Sequence, residues 1–437
     1  MNQQSTLVGL FKEVYASSII EAWGYMAKLA NKVKFVPSQL QPGNYYHQPV
    51  DVALEQGISY AGAGTTIGVG SSYFFPATAG MMQDAQIAGA QLLARALVSY
   101  EAIARSANDK AAFKSATQHV VRRLSQAVLK RLEIQLLHGQ RGVGAIASLA
   151  AETGSSGAYF SVLTLTDASF SAGLWAGMQG ALVDVYQSDL ATIRQAADQN
   201  NGATSGTTGW CVVSAVDQVN KTVTLNYGTA RSGWVAGDVL FFGGAVGGAS
   251  STEFAGLDAI TRWSASSGTQ MNIATGTYDL WRSNQYSSTS TISFGKILEA
   301  CGLMASYGLQ DDSVCVLPTK AFEILNTDLA ALRQYDVSYT SARAESGTEA
   351  LKFHAQTGPV EIMAHPFQKD GLGHLFVPSE SIRVGATDIS FITRQGSEDK
   401  LILESSTAAA SEMRAYSNQA LFLGMPRHSV LMDGITY

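Results

Sequence analysis

Residues 108–139 read NDKAAFKSATQHVVRRLSQAVLKRLEIQLLHG, and this stretch decides the architecture. Phe113, Thr117, Val120, Val121, Leu124, Val128, Leu132 and Leu136 recur at three- and four-residue spacing, which lays them in one stripe along an α-helix. Ser106 and Asn108 are candidate N-caps, Asp109 sits where the helix dipole favours an anion, and Gly139 is the expected stop. At about 1.5 Å per residue the predicted helix spans on the order of 45 Å, longer than the usual three or four turns. A rod of that length needs a sheet or a second helix to cover its stripe. On its polar side Lys110, Lys114, Arg122, Arg123, Lys130 and Arg131 outnumber Asp109 and Glu133. An ordinary solvated face, nucleic acid or a neighbour's carboxylates would each suit that positive excess.

Ahead of the rod lies a long extended stretch, Phe35 to Asp109, without a single lysine. Val50, Val52 and Leu54 alternate with Asp51, Ala53 and Glu55; glycine and serine then dominate from Gly57 to Ser72, before Tyr73, Phe74, Phe75 and Pro76. The pattern predicts a two-stranded hairpin arm with a glycine-softened tip. A hairpin standing alone is marginal in water, so this one must lie on another surface. Packing across a subunit boundary is the simplest source of that surface, which makes Tyr45, Tyr46, Val50, Val52, Leu54, Tyr60, Tyr73 and Phe74 the candidate contact residues. The aromatic pairs have no basic residues between them, which favours anchoring on protein over stacking on bases.

With 437 residues the chain can bury substantial cores. Charged residues make up only 15% and glycines number 42, a composition suited to a surface covered by copies of the same chain. The net charge of -6 implies no basic tail and no strong nucleic-acid field. Cys211, Cys301 and Cys315 are odd in number and widely spaced, which argues against a disulfide framework or a zinc site. Met1 to Lys12 lacks a signal-peptide pattern and no apolar run is long enough to span a bilayer, so a soluble product of a reducing cytoplasm is expected.

Along the chain, Val14 to Val33 reads as an amphipathic helix, the alanine-rich run Met81 to Ala104 as another, and Gln140 to Gly157 as a loop. From Ala158 to Ser251 the texture turns β-rich, with strands expected at Leu182–Tyr186, Trp210–Val216, Thr222–Tyr227 and Val239–Phe242. After Gly256 the pattern is mixed. Ile292–Tyr307 and Ala321–Leu332 read as helical, Val314–Leu317 as a buried strand, and Pro359–Ala364 with Gly373–Pro378 as a hairpin through Gln368–Gly371. Strands at Ile389–Thr393, Leu401–Glu404 and Met413–Phe422 close the chain. The fold class is α+β.

The search for catalytic chemistry is negative. There is no GxxxxGK[ST], no GxSxG and no HExxH; Gly62-Ala63-Gly64 lacks a third glycine and Gly154-Ser155-Ser156-Gly157 has the wrong spacing. Of seven histidines, His365 and His374 are the nearest pair, better read as hydrogen-bonded than as metal ligands. Asp311 and Asp312 read as a turn or a cap. Neither a catalytic site, a cofactor nor a metal is expected.

The order of parts resembles the major capsid proteins of tailed bacteriophages, whose Hong Kong 97-type shell fold encapsulins also use. Ala112-Phe113 through Leu136-Leu137-His138-Gly139-Gln140, followed by Gly142-Val143-Gly144-Ala145-Ile146, looks like the spine helix and its glycine loop. Gly358-Pro359-Val360-Glu361-Ile362 through His374-Leu375-Phe376 looks like the peripheral-domain hairpin, and Glu412-Met413-Arg414 to Pro426 like the closing strand. The resemblance implies an N-terminal arm over 1–35, an extended loop over 36–80, a peripheral domain over 81–157 and 346–400 with its spine helix over 108–138, an inserted β-domain over 158–251, and an axial domain over 252–345 and 401–437. It further implies hexamers and pentamers of an icosahedral phage head, assembled in the host cytoplasm. The implied partners are further copies of the chain, a scaffolding protein, a portal, packaged double-stranded DNA and a decoration or cement protein; no membrane is involved. Some relatives weld their shells from a loop lysine, and its absence here predicts no such cross-link; some begin with a cleaved scaffolding region, and Met1 leading almost directly into the arm predicts a separate scaffold or none. The insertion is expected to project outward or to reinforce contacts between capsomers. The rival readings are an encapsulin-like compartment for a cargo enzyme, a secreted carbohydrate-binding or surface-layer protein, and an enzyme with an unrecognised site.

Overall fold

A computed structural model describes residues 28–37, 45–64, 66–68, 74–99, 116–195, 211–247, 250–262, 268–333, 350–391, 403–404 and 410–437. In chain order the first elements are α1 (Lys28–Lys32), β1 (Lys34–Pro37), β2 (Tyr46–Ala53), β3 (Met81–Ile87), β4 (Ala90–Ser99) and the long helix α2 (Ala116–His138). The predicted start of that helix at Asn108, with its caps, and the helix expected before Lys28 lie outside the described residues. The chain divides into two compact units, and α2 contributes residues to both.

The first unit draws on Leu92–Lys130 and Ile389–Tyr416. Val120, Val121, Leu124 and Val128, four members of the predicted stripe, pack with Leu92, Ala94, Ala96 and Val98 of β4 and with Met413 and Ala415. This corrects the helix expected over Met81–Ala104: Met81–Ile87 and Ala90–Ser99 are strands. Leu93 and Leu97, which gave the helical spacing, point outward and are exposed, while the true inner face repeats every second residue. Alanine is a strong helix former in isolation; at positions 94 and 96 its small side chain sits between strand and helix, and tertiary packing overrides propensity.

The second unit holds a barrel and a two-faced sheet. The barrel strands are β5 (Gly144–Leu149), β6 (Thr153–Ser155), β7 (Ala158–Leu165), β8 (Val183–Tyr186), β9 (Ile193–Gln195), β10 (Cys211–Asp217), β11 (Thr222–Tyr227) and β12 (Val239–Phe242), in the order β10-β11-β7-β5-β12-β8-β9 with β6 on β7. The sheet closes on itself where β10 meets the segment leading into β8: Gly180 N–H donates to Val213 O at 2.8 Å, Val213 N–H donates to Ala181 O at 2.9 Å, and Leu182 bridges Val212. Its interior is apolar: Ile146, Leu163, Leu165, Val183, Val185, Cys211, Val213, Val223, Leu225 and Leu240 are all buried, every second residue in β7 and β11. The barrel begins at Gly144, not at Ala158; the run expected as a loop supplies two of its strands.

The remaining strands are β13 (Val246–Gly247) paired with β14 (Ser250–Ser251), β15 (Thr269–Gln270) paired with β16 (Ile273–Ala274), β17 (Asn284–Ser287), β18 (Ser313–Leu317), β19 (Ala350–Ala355), β20 (Gly358–Ala364), β21 (Leu372–Phe376), β22 (Ser381–Phe391), β23 (Leu403–Glu404), β24 (Ala410–Leu423) and β25 (Val430–Asp433). Six form one mixed sheet ordered β17-β25-β21-β18-β20-β19. The expected hairpin of β20 with β21 is corrected: β18 lies between them, parallel to β20 and antiparallel to β21. Residues assigned to the peripheral domain therefore share a sheet with residues assigned to the axial one. Every residue of β18 and β21 is buried, as a strand covered on both faces must be. After the short helices α3 (Ala172–Trp175) and α4 (Leu257–Thr261), Ile297, Ala300, Cys301 and Met304 of α5 (Phe294–Ala305) and Ala321 and Leu325 of α6 (Thr319–Arg333) pack with Cys315, Leu317, Val360, Ile362, Leu375, Val430 and Met432.

The last turns of α2 are buried on more than one side, since Leu132, Glu133, Ile134, Leu136, Leu137 and His138 are all enclosed. Gly139 ends the helix as expected, for a reason the sequence did not show. The left-handed residue is Gln140, at φ 67°, and Gly139 is needed because a Cβ there would lie 2.3 Å from Phe254 O. Gly256 faces it, donating its N–H to Gly139 O at 3.1 Å. A Cβ on Gly256 would lie 2.5 Å from Gln135 O and 2.6 Å from Gly139 N, both rigid helix backbone. Gly256→Ala is therefore expected to destabilise the chain by about 1–3 kcal/mol, read as a lower urea midpoint with an unchanged slope.

Candidate interaction surface

The extended ribbon is the pairing of β2 with β3, with Tyr46 opposite Ile87 and Asp51 opposite Met82 and a bulge at Val52. Its second strand is Met81–Ile87, further along than the Tyr73–Pro76 cluster that the sequence suggested. The base of the ribbon is fixed to its own chain. Gln86 N–H donates to Met271 O at 2.9 Å, Asn272 Nδ2 to Asp84 O at 3.4 Å, and Gln83 Nε2 to the Tyr278 hydroxyl at 3.3 Å. The Tyr46 ring meets Phe422 edge-on at 5.3 Å.

Beyond the base the ribbon is bare. Leu54 is 78% exposed, Tyr60 80% and Phe74 74%, and Tyr45 is half exposed. Ile58, Phe75 and Met82, which the sequence reading did not select, are exposed as well. Val52 leaves the candidate set: at 4% exposure it is covered by its own chain, on the same inward face of β2 as Tyr46, Gln48 and Val50. Val50 is half-buried, and Tyr73 lies outside the described residues. Large apolar side chains of residues 54–82, namely Leu54, Ile58, Tyr60, Phe74, Phe75 and Met82, are thus uncovered, which suits a contact surface.

On the long helix Arg122 and Arg123 are exposed and Lys130 is half-buried, while Lys114 lies outside the described residues. Arg131 does not belong to that polar face. Its guanidinium sits 3.2 Å above the Phe242 ring centre, and burial lowers its pKa to about 10.

Behind the end of α2 lies a buried ion cluster built from elements far apart in sequence. Asp258, in α4 (Leu257–Thr261), lies 2.6 Å from Arg262 Nε, 3.7 Å from His138 Nδ1 and 3.9 Å from Lys369 Nζ. Burial alone would raise its carboxyl, but His138, Lys369 and Arg262 together hold it well below the usual carboxylate range. Burial lowers Lys369 to about 8, and its ammonium donates to Gly142 O at 2.9 Å. His365 and His374 are not one site. His365 Nδ1 accepts the Phe367 N–H, so its proton is on Nε2, which donates to Glu133 at 3.1 Å; His374 Nδ1 lies 3.4 Å from the Thr261 hydroxyl. Among the described residues no group of acidic, histidine and cysteine side chains could hold a metal ion.

The cluster makes stability depend on pH. Burial pushes His138 down to about 4 and His374 to about 3, so both stay neutral when folded while the unfolded imidazoles protonate near 6.5; their contribution is lost as pH falls below 6.5. Burial raises Glu253 to about 7, so the folded chain takes up that proton before the unfolded one does at 4.5, which acts the other way. Two imidazoles against one carboxyl leave a net of one proton between pH 6.5 and 4.5, so stability should fall there by about 1.4 kcal/mol per pH unit. Urea midpoints at intervals across this range test it, and His374→Gln should flatten the slope.

No protein-family model and no curated protein matches this sequence. Solved structures do. The whole chain aligns with the whole of a chain from the cyanophage A-1(L) capsid asymmetric unit at a TM-score of 0.56 and 10% identity. It also aligns, again over 100% of both chains, with the capsid of a native GTA particle at a TM-score of 0.48 and 8% identity. The protein thus shares the mixed α+β fold of the cyanophage capsid chain. In particular it is the Hong Kong 97-type fold, which in this chain includes a closed barrel.

Proposed function

We propose that this chain is the major capsid protein of a tailed bacteriophage, a structural protein and not an enzyme, that self-assembles as hexamers and pentamers into an icosahedral head around double-stranded DNA. The observation that carries the reading is the ribbon, fixed at its base and bare of cover along its distal half, on a chain whose fold matches a phage capsid chain over its whole length. In a shell each ribbon lies over an adjacent subunit and its exposed apolar side chains are covered there. Several modest contacts per subunit, repeated around a closed shell, hold firmly while each remains weak enough to correct an error. The arginines on the open part of α2 suit weak, sequence-independent contact with DNA phosphates. A scaffolding protein, a portal and a cement protein are the partners of this reading, and the barrel projects from the shell or braces neighbouring capsomers. Electron microscopy of the purified protein, alone and with its scaffold, tests it: closed shells support the reading, and monodisperse monomers under both conditions overturn it. Particles that contain an enzyme and no DNA point to a cargo compartment instead.

A further inference from the structure

The short segment that enters the second unit, Lys28–Pro37, is held in an unusual way. Its helical turn α1 is gripped by buried groups of opposite charge at its two ends. At the start, the Glu133 carboxylate accepts the N–H groups of Ala30 at 2.8 Å and Leu29 at 3.2 Å. At the end, Arg383 Nε donates to Val33 O at 3.0 Å. Negative charge at the first N–H groups and positive charge at the last carbonyl are the signs that a helical turn favours. Leu29, Ala30 and Val33 are the buried apolar contacts, and β1 adds parallel pairing with β22 from Lys34–Ile382 to Pro37–Gly385. At the rim, Lys28 Nζ donates to Ala364 O and Lys32 pairs with Glu361.

Both gripping charges have a second partner that does not belong to the segment. Glu133 also accepts from His365 Nε2, whose tautomer is set by the Phe367 N–H. Arg383 Nη1 also donates to Gln419 Oε1 at 2.8 Å and lies 3.3 Å from Asp388. A buried charge left without a partner is strongly unfavourable, which normally locks a segment in place. Here withdrawal of residues 28–37 leaves neither charge alone.

We propose that Lys28–Pro37 is a detachable strap, which leaves and re-enters its socket as a unit while the six-stranded sheet stays folded, and that Glu133 and Arg383 recognise its helical turn by its two ends. Segments that open below the threshold of global unfolding are those with few apolar anchors and a body that survives without them. The strap has both properties, and it is the covalent link between the body and everything N-terminal to Lys28.

Amide hydrogen exchange of the full chain, followed by mass spectrometry at neutral pH, tests the proposal. Peptides covering 29–37 should exchange about tenfold or more faster than those covering β18 and β21. Glu133→Gln, which removes the charge, and Leu29→Ala, which leaves both gripping charges intact, should each accelerate the strap by about a further tenfold, with the strap still exchanging about tenfold or more faster than β18 and β21. Exchange of the strap at the same rate as β18 in all three proteins would show that the strap opens only with the whole unit and overturn the inference.

Discussion

Replacing Leu54, Tyr60 and Phe74 together by serine should abolish shell formation and leave the folded subunit as stable as before. All three side chains are largely exposed, so the subunit on its own loses no packing when they are cut back. In the proposed shell each is covered by a neighbour, and full burial of such a side chain stabilises by about 1.5–3 kcal/mol. Three such losses at every subunit, repeated over a closed surface, exceed what contacts of modest individual strength can absorb. Sedimentation and electron microscopy read assembly, and thermal unfolding reads the subunit. Shells at normal yield would show that the distal ribbon is not the contact, and a large drop in Tm would show that these side chains are covered at home.

Asp258→Asn should destabilise the subunit by about 3–5 kcal/mol, the largest stability effect expected of any single polar substitution in the chain. The asparagine keeps the shape and removes the one charge around which Arg262, Lys369 and His138 gather. Lys369 is buried and holds its proton with difficulty even beside that carboxylate. Lys369→Met in the same background should recover part of the loss, because it removes the charge that was stranded. Urea unfolding of the three variants measures both numbers. A loss under about 1 kcal/mol for Asp258→Asn would mean that the cluster is reached by water.

Much of the fold could be read from local pattern, and the failures share a cause. The strands Thr222–Tyr227 and Val239–Phe242 fall where alternation and turns put them, with Lys221 at φ 53° and Gly237 at φ 96° making the turns. Helices α5 and α6 and strand β18 likewise follow from periodicity and from Pro318. The misreading of β3 and β4 arose because apolar residues occupy both faces of β4, which imitates a helical spacing, and because alanine there serves close packing. The insertion of β18 between β20 and β21 is a non-local pairing that no short stretch encodes. On the ribbon, Leu54, Tyr60 and Phe74 were legible as an uncovered apolar set, whereas the burial of Val52 was not, since alternation gives two faces without saying which one the chain's own body covers. The burial of these ions was not legible because Glu133, His138, Asp258, Lys369 and His374 come from separate elements and nothing in their local sequence marks them as enclosed.

The attachment of the ribbon at Met271, Asn272, Tyr278 and Phe422 has a kinetic meaning. A ribbon hanging from a loose joint would sweep a wide cone and surrender that freedom at each docking event, slowing association and admitting many angles of approach. Clamped at its root, it leaves the subunit along a direction chosen during folding, so two colliding copies arrive already aimed. Curvature is then a property each molecule carries before it meets another.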